Sequence, residues 1–225
     1  NQIQNFFANY TIIFLLIFPL TLIFGWAHIW SISFILFILI GFINNLGTVL
    51  YWRAIDVSLT KTALFTQLDD FIAIILAFLF FHESTFLHPR HLLGFGLTCF
   101  AAMLLLIQKG REEKNKTLLA LVLGYSIIWG LLFVVVKYFS MQNANPWAFF
   151  GGWYTGSFIS ALLIRTLAVR KKTTHYSLSD ALKVSPLALI TATSLILYFW
   201  ASKLAPIVVI QPIIQITETV FPALI

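Results

Sequence analysis

The chain alternates long apolar runs with short polar segments, and each run is about long enough to form a helix that crosses a bilayer. A spanning helix needs about 20 mostly apolar residues. The runs are continuous, which favours α-helices over the alternating strands of a closed barrel. The pattern predicts an all-α membrane protein. Its eight spans are Tyr10–Trp26, Ile32–Tyr51, Leu59–Phe81, Leu92–Ile107, Leu118–Val136, Trp147–Leu167, Ala181–Ala201 and Ile207–Ile225.

The third run differs from the others because polar side chains lie near its middle. Gln67, Asp69 and Asp70 interrupt an otherwise apolar stretch. A carboxylate at the bilayer centre costs roughly 2.5–3.5 kcal/mol on insertion scales, and ionisable residues kept there generally serve function. The acidic pair is therefore the leading candidate for binding substrate or protons.

Composition supports a lipid environment. The chain is 60% hydrophobic and 10% charged, whereas soluble domains carry about 25% charged residues. The net charge of +6 could indicate nucleic acid. However, the basic residues lie mostly between apolar runs, which is typical of loops held against an anionic inner leaflet. The predicted partner is the lipid bilayer, with no nucleic acid. The single cysteine, Cys99, lies in an apolar run and is interpreted as a packing residue.

The basic residues also predict an orientation in the inner cell membrane. The loops on one side carry Arg90, Lys137 and Lys203. Those on the other carry eleven basic residues, and positive charge marks the cytoplasmic side. They are Arg53, Lys61, Lys109, Arg111, Lys114, Lys116, Arg165, Arg170, Lys171, Lys172 and Lys183.

The chain also shows an internal repeat. A shift of 148 positions places FTQLDDFIAIILA on IIQITETVFPALI, so that Gln67 falls on Gln215 and Asp70 on Glu218. The two matching runs are five spans apart, so the halves would have opposite orientations. We expect inverted five-helix repeats of a ten-helix transporter fold, with a first repeat at 1–109 and a second at 110–225. On this reading the first repeat lacks its first helix. The second is truncated in its fourth helix and lacks its last.

Two stretches resemble a known family. They are RAIDVSLTKTALFTQLDDFIAIILAFLFFHESTFLHPRHLLGFGLTCFAAMLLL in the first half and LYFWASKLAPIVVIQPI in the second. Both are similar to the repeats of the drug/metabolite transporter superfamily, and most of all to its multidrug-resistance efflux transporters. Glu83 matches the loop glutamate of that repeat, and Gly94 and Gly96 match the glycines of the next helix. The resemblance implies a ten-helix transporter, although the acidic pair is not part of the family's general pattern.

The candidate site begins with the carboxylates. Asp69 and Asp70 would bind a cationic group or protons beside Gln67, and Gln215 and Glu218 would line the same cavity from the second repeat. In the alternative interpretation, hydrogen bonds from neighbouring helices satisfy both aspartates, which then only fix packing. Glu218 has its own alternative, which is exposure near the chain end.

Further lining residues are predicted on other spans. Asn44 and Asn45 lie in a polar stripe of the second span, and Tyr125 and Trp129 lie on or near one face of the fifth. Amide donors and aromatic faces beside carboxylates suit a lipophilic cation. The alternatives are helix packing for the asparagines and lipid or interface contact for the aromatics.

Three other features receive structural interpretations. Gly152 and Gly156 form a GxxxG pair suited to close helix packing. Pro206 and Pro212, near the start of the last span, predict a kink or a moving gate. The histidines and charges of 82–91 lack regular ligand spacing and are interpreted as a polar loop without a metal.

These predictions favour a secondary transporter, not an enzyme, that exports small amphipathic or cationic compounds by proton-coupled alternating access. No GxxxxGK[ST] run is present, and no cofactor is predicted. Within transport, the alternative is export of a specific metabolite, amino acid or lipid carrier. Outside it, a membrane-embedded enzyme using the acidic pair with Mg²⁺, or a non-transporting subunit, stays open. The oligomeric state is not predicted.

Overall fold

The structure, a computed structural model, describes residues 2–65, 68–83, 100, 112–168 and 178–214, which contain helices and no strand. A short 3₁₀ turn at Trp26–His28 follows the first helix. Residues 207–214 form a further helical segment, referred to below as the 207–214 helix. The helices are α1 (Gln2–Phe24), α2 (Ile32–Val57), α3 (Leu59–Leu64), α4 (Leu68–Phe81), α5 (Glu112–Met141), α6 (Pro146–Ala168) and α7 (Leu178–Leu204).

Six stretches within the described residues are long and apolar enough to cross a membrane. They correspond to six of the predicted spans, and the chain is a multi-pass membrane protein. The helices extend beyond several predicted ends: α1 begins at Gln2 instead of Tyr10, because the polar start of the chain is also helical. The predicted span Leu92–Ile107 lies outside the described residues except for Phe100, and the part of the last span beyond 214 also lies outside them.

The third span keeps its predicted bounds, Leu59–Phe81, but it is not one continuous helix. The Ser58 hydroxyl caps α3 by accepting from the Lys61 amide at 3.4 Å. α3 then ends in a turn at Phe65, whose N–H donates to the Thr62 carbonyl. Because α4 has 14 residues, it is about 21 Å long at 1.5 Å per residue, too short to cross a core of about 30 Å alone.

The residues divide into two compact units, which are described separately. Unit 1 comprises Asn1–Leu46 and Phe139–Trp200, and unit 2 comprises Gly47–Tyr138 and Ala201–Ile225. Each unit takes residues from both predicted repeats. The repeat boundaries at 109 and 110 stay a prediction.

Unit 1 is held by very close contact between α2 and α6. A Cβ atom added at Gly41 would lie 1.8 Å from the Trp153 carbonyl oxygen, and one at Gly156 would lie 1.8 Å from that of Ile38. The Asn45 amide donates to the Ser157 carbonyl at 2.7 Å, and the Ser157 hydroxyl donates to the Gly41 carbonyl at 3.0 Å. The predicted packing role of the GxxxG glycines is confirmed for Gly156, because only glycine permits this approach.

Other polar groups of unit 1 also join helices. The Thr21 hydroxyl of α1 donates to the Trp147 carbonyl of α6 at 2.9 Å, and the Tyr154 hydroxyl donates to the Thr191 carbonyl of α7 at 3.1 Å. Buried aromatic rings fill the space between α6 and α7, with the Phe149 and Phe199 centroids 5.0 Å apart. Backbone carbonyls accept these bonds, so the helices are fixed without buried charge.

Unit 2 has two hydrophobic clusters. One joins α2, α3 and α5 through Ala54, Phe65, Leu118, Val122 and Tyr125. The other joins α4 and α5 to the 207–214 helix through Ala73, Ile74, Ala77, Val134, Ile207 and Val208. α4 therefore packs through Ala73, Ile74 and Ala77 against α5 and the 207–214 helix.

Candidate functional site

The acidic pair lies at the start of a helix and not within one. Asp69 and Asp70 occupy the first turn of α4, directly after the interruption at Phe65. Both are 7% exposed. The N-terminus of a helix carries partial positive charge from its unpaired N–H groups, which stabilises a carboxylate by about 0.3–1 kcal/mol. The acids therefore occupy the end of a helix at which negative charge is favoured, a position that the apolar pattern alone did not reveal.

α5 lies directly against this turn. A Cβ atom at Gly130 would lie 2.9 Å from the Asp69 carbonyl oxygen and 2.7 Å from the Ile72 side chain. Glycine thus brings the backbone of α5 close to the acidic turn.

Three aromatic side chains gather on the same part of unit 2. Tyr51 of α2 and Tyr125 of α5 have ring centroids 5.3 Å apart, and Trp129 lies 5.4 Å from Tyr51 and 5.3 Å from Tyr125. Tyr125 is wholly buried. The structure therefore places Tyr125 and Trp129 together, and it adds Tyr51 to the predicted set.

This arrangement suits a positively charged, partly apolar ligand. Carboxylates supply charge, and aromatic faces attract cations while also packing against apolar groups. A carboxylate can equally accept a proton and release it. No group of three or more His, Cys, Asp and Glu side chains within the described ranges is placed to hold a metal ion.

The remaining predicted site residues are not brought together by the described structure. Asn44 and Asn45 belong to unit 1, where Asn45 is wholly buried and bonded to α6. That bond supports the packing interpretation of Asn45, and its cavity role stays a prediction. Gln67, Gln215 and Glu218 lie outside the described residues.

An ion pair that the sequence analysis missed lies inside unit 2. The Lys137 ammonium is 3.1 Å from a Glu83 carboxylate oxygen, and the two side chains are 8% and 6% exposed. Glu83 follows the end of α4, as expected for a residue between two spans, but it is buried. The placement of Lys137 among loop charges was wrong. Lys137 lies inside α5, and an apolar run gives no signal for which distant carboxylate a single lysine will meet.

The ion pair also binds the backbone on both sides of Pro206. The Lys137 ammonium donates to the Ala205 carbonyl at 2.7 Å, and the Val208 N–H donates to the other Glu83 oxygen at 3.4 Å. Pro206 supplies no N–H, so it separates α7 from the 207–214 helix. The two charged side chains satisfy backbone groups at this break, and they join α4, α5 and both sides of the break.

Comparison of the chain with models of protein families, with characterised proteins and with solved structures gives no match. The resemblance to the drug/metabolite transporters stays a prediction. The site is therefore interpreted from its own chemistry.

Proposed function

We propose that the chain is a secondary transporter that exports small amphipathic or cationic compounds in exchange for protons. The observation that carries this proposal is the buried acidic turn at the interruption of an apolar span. Transporters commonly build their sites where a membrane helix is interrupted, and ionisable side chains inside a span mark paths for substrates, ions or protons. Asp69 and Asp70 would bind the cation and the proton in alternation.

The aromatic cluster supports a cationic substrate with an apolar body. Tyr51, Tyr125 and Trp129 offer ring faces in the unit that holds both aspartates. Cation–π attraction is worth about 2 kcal/mol when the groups are desolvated. A small inorganic cation would not need three rings, which favours an organic one.

The main competitor is a purely structural acidic pair. Burying two carboxylates only to hold helices would be costly, and unit 1 shows that hydroxyl and amide donors to carbonyls perform that task without charge. A specific metabolite, amino acid or lipid carrier remains an alternative cargo. The substrate panel below separates these.

Transport by the protein in liposomes with an imposed pH gradient tests the proposal. The panel would contain tetraphenylphosphonium, ethidium and neutral amino acids. For Asp70→Asn we expect the cation transport rate to fall about tenfold or more. The substitution removes a charge interaction with the substrate, and a loss of only about 1.4 kcal/mol already corresponds to a tenfold change. Asp56→Asn is the matched control, since Asp56 is an exposed aspartate at the end of α2.

The structural alternative gives a different result. If the aspartates only fix packing, Asp70→Asn will lower the melting temperature, and the transport rate per folded molecule will be unchanged. Full activity of Asp70→Asn that does not depend on pH would reject the proton role. Transport of no member of the panel by the unsubstituted protein would reject the proposed function.

A further inference from the structure

Gln211 is a wholly buried side chain whose amide has no described hydrogen-bond partner. Neither its nitrogen nor its oxygen is bonded within the part of the chain that the structure describes. Burying an amide without compensation costs about 1–3 kcal/mol in proteins. Leucine or methionine would fill the same volume without that cost. The position therefore calls for a role beyond packing.

The location of Gln211 points toward the proposed transport site. It lies on the 207–214 helix, three residues after Val208 and four after Ile207, so all three share one face. That face packs against α4 and α5, as the membership of Ile207 and Val208 in their common cluster shows. Gln211 therefore lies on the face of the 207–214 helix that packs against α4, the helix that carries the two buried aspartates.

We propose that Gln211 binds a hydrogen-bonding group of the transported compound, an inference that rests on the transport function proposed above. The primary amide has two N–H donors and an accepting oxygen. It therefore matches an amine, amide or hydroxyl attached to an apolar body. The aspartates and aromatic rings recognise charge and apolar surface, and Gln211 selects among such compounds.

Selection by Gln211 should appear as a difference in KM between compounds with and without a hydrogen-bonding group. A site built to hydrogen-bond a ligand discriminates strongly against analogues that lack the bonding group, because its own polar group is left unpaired. Ethidium is a cation with two aromatic amines, whereas tetraphenylphosphonium is a cation with no N–H or O–H group. Gln211 should contribute to the binding of the first and not of the second.

The test measures KM for both probes in liposomes. In Gln211→Leu we expect KM for ethidium to rise about tenfold, the effect of a lost interaction of about 1.4 kcal/mol. KM for tetraphenylphosphonium should stay unchanged. The melting temperature should equal or exceed that of the unsubstituted protein, because the substitution removes a buried amide without a partner.

Ile207→Leu is the matched control, since it alters packing on the same face of the same helix and keeps its apolar character. It should leave the ratio of the two KM values unchanged. Should Gln211→Leu fail to accumulate, Gln211→Met gives the same comparison with a flexible side chain.

The outcomes separate the two proposals. If the unsubstituted protein transports both probes and Gln211→Leu leaves the KM ratio unchanged, the role of Gln211 is rejected and transport stands. A lower melting temperature with an unchanged ratio assigns Gln211 to packing and also rejects the inference. If the unsubstituted protein transports neither probe, both proposals fail.

Discussion

Units 1 and 2 use buried polar side chains in different ways. In unit 1, Asn45, Ser157, Thr21 and Tyr154 donate to carbonyls of neighbouring helices. In unit 2, buried polar groups include an ion pair and an acidic turn. Every buried charged side chain among the described residues, namely Asp69, Asp70, Glu83 and Lys137, belongs to unit 2.

The difference shows that helices can be held together without buried charge, so the buried acidic turn of unit 2 is not required by packing alone. Hydroxyl and amide donors to carbonyls, with glycines that permit close approach, are sufficient to pack unit 1. A buried ion pair stabilises helix packing less than these neutral hydrogen bonds do, because the desolvation of two charges can cost more free energy than their attraction returns. The concentration of buried charge in unit 2 therefore marks the region where we place transport, and three substitutions test this contrast.

The largest effect is expected from separating the ion pair. Lys137→Met leaves the Glu83 carboxylate buried without its partner, which costs about 3–5 kcal/mol of unfolding free energy. Thermal unfolding in detergent would measure this loss. The double variant Lys137→Met/Glu83→Gln should recover most of it, because no unpaired charge remains. If Lys137→Met is as stable as the unsubstituted protein, the Glu83–Lys137 ion pair does not stabilise unit 2.

A smaller effect is expected at the closest helix contact of unit 1. Gly156→Ala would place a methyl group 1.8 Å from the Ile38 carbonyl oxygen, a backbone atom that cannot move alone. Overpacking of this kind costs about 1–3 kcal/mol, measurable as a lower melting temperature.

The matched control for this contact is Gly124→Ala in unit 2. Its new methyl group would meet only the end of the Leu50 side chain, at 3.0 Å. Alanine also favours the helical state over glycine, so the stability of Gly124→Ala should be unchanged or higher. Equal losses at both glycines would refute the special closeness of α2 and α6.

The smallest effect is expected at Asn45. Asn45→Leu removes the 2.7 Å bond to the Ser157 carbonyl, at a cost of about 0.5–1.5 kcal/mol. KM for ethidium should not change if this side chain only packs helices. Thr166→Ala, which removes a hydroxyl bonded within its own helix, is the control. A large rise in KM for Asn45→Leu would extend the binding site into unit 1 and weaken the contrast.

The spans could be predicted from the sequence because continuous apolar runs translate directly into membrane helices. The α6 bounds, Pro146–Ala168, differ from the predicted ones by a single residue at each end. The interruption at Phe65 could not be predicted, since no proline or glycine marks it. The Glu83–Lys137 pair was also missed, because sequence order does not show which distant helices become neighbours.

The residues of the candidate site could be selected from the sequence only in part, for the same reason. Asp69 and Asp70 stand out in any apolar run, and Tyr125 and Trp129 follow from helical spacing. Tyr51 and Gln211 could be selected only from the structure, which shows the aromatic neighbours of Tyr51 and the burial of Gln211. Gln211 has no counterpart in the repeat alignment that drew attention to Gln67 and Gln215, and only its burial without a described partner singles it out.

The anchoring of the ion pair has a consequence for biosynthesis. Glu83 binds an amide 125 positions later in the chain, and Lys137 binds a carbonyl 68 positions later. A growing chain therefore holds both charges in the membrane before the ribosome has made the backbone groups that receive them. Unit 2 can close only after residues 205–208 have been translated, so a chain that terminates before Ala205 would lack both backbone groups that the ion pair binds.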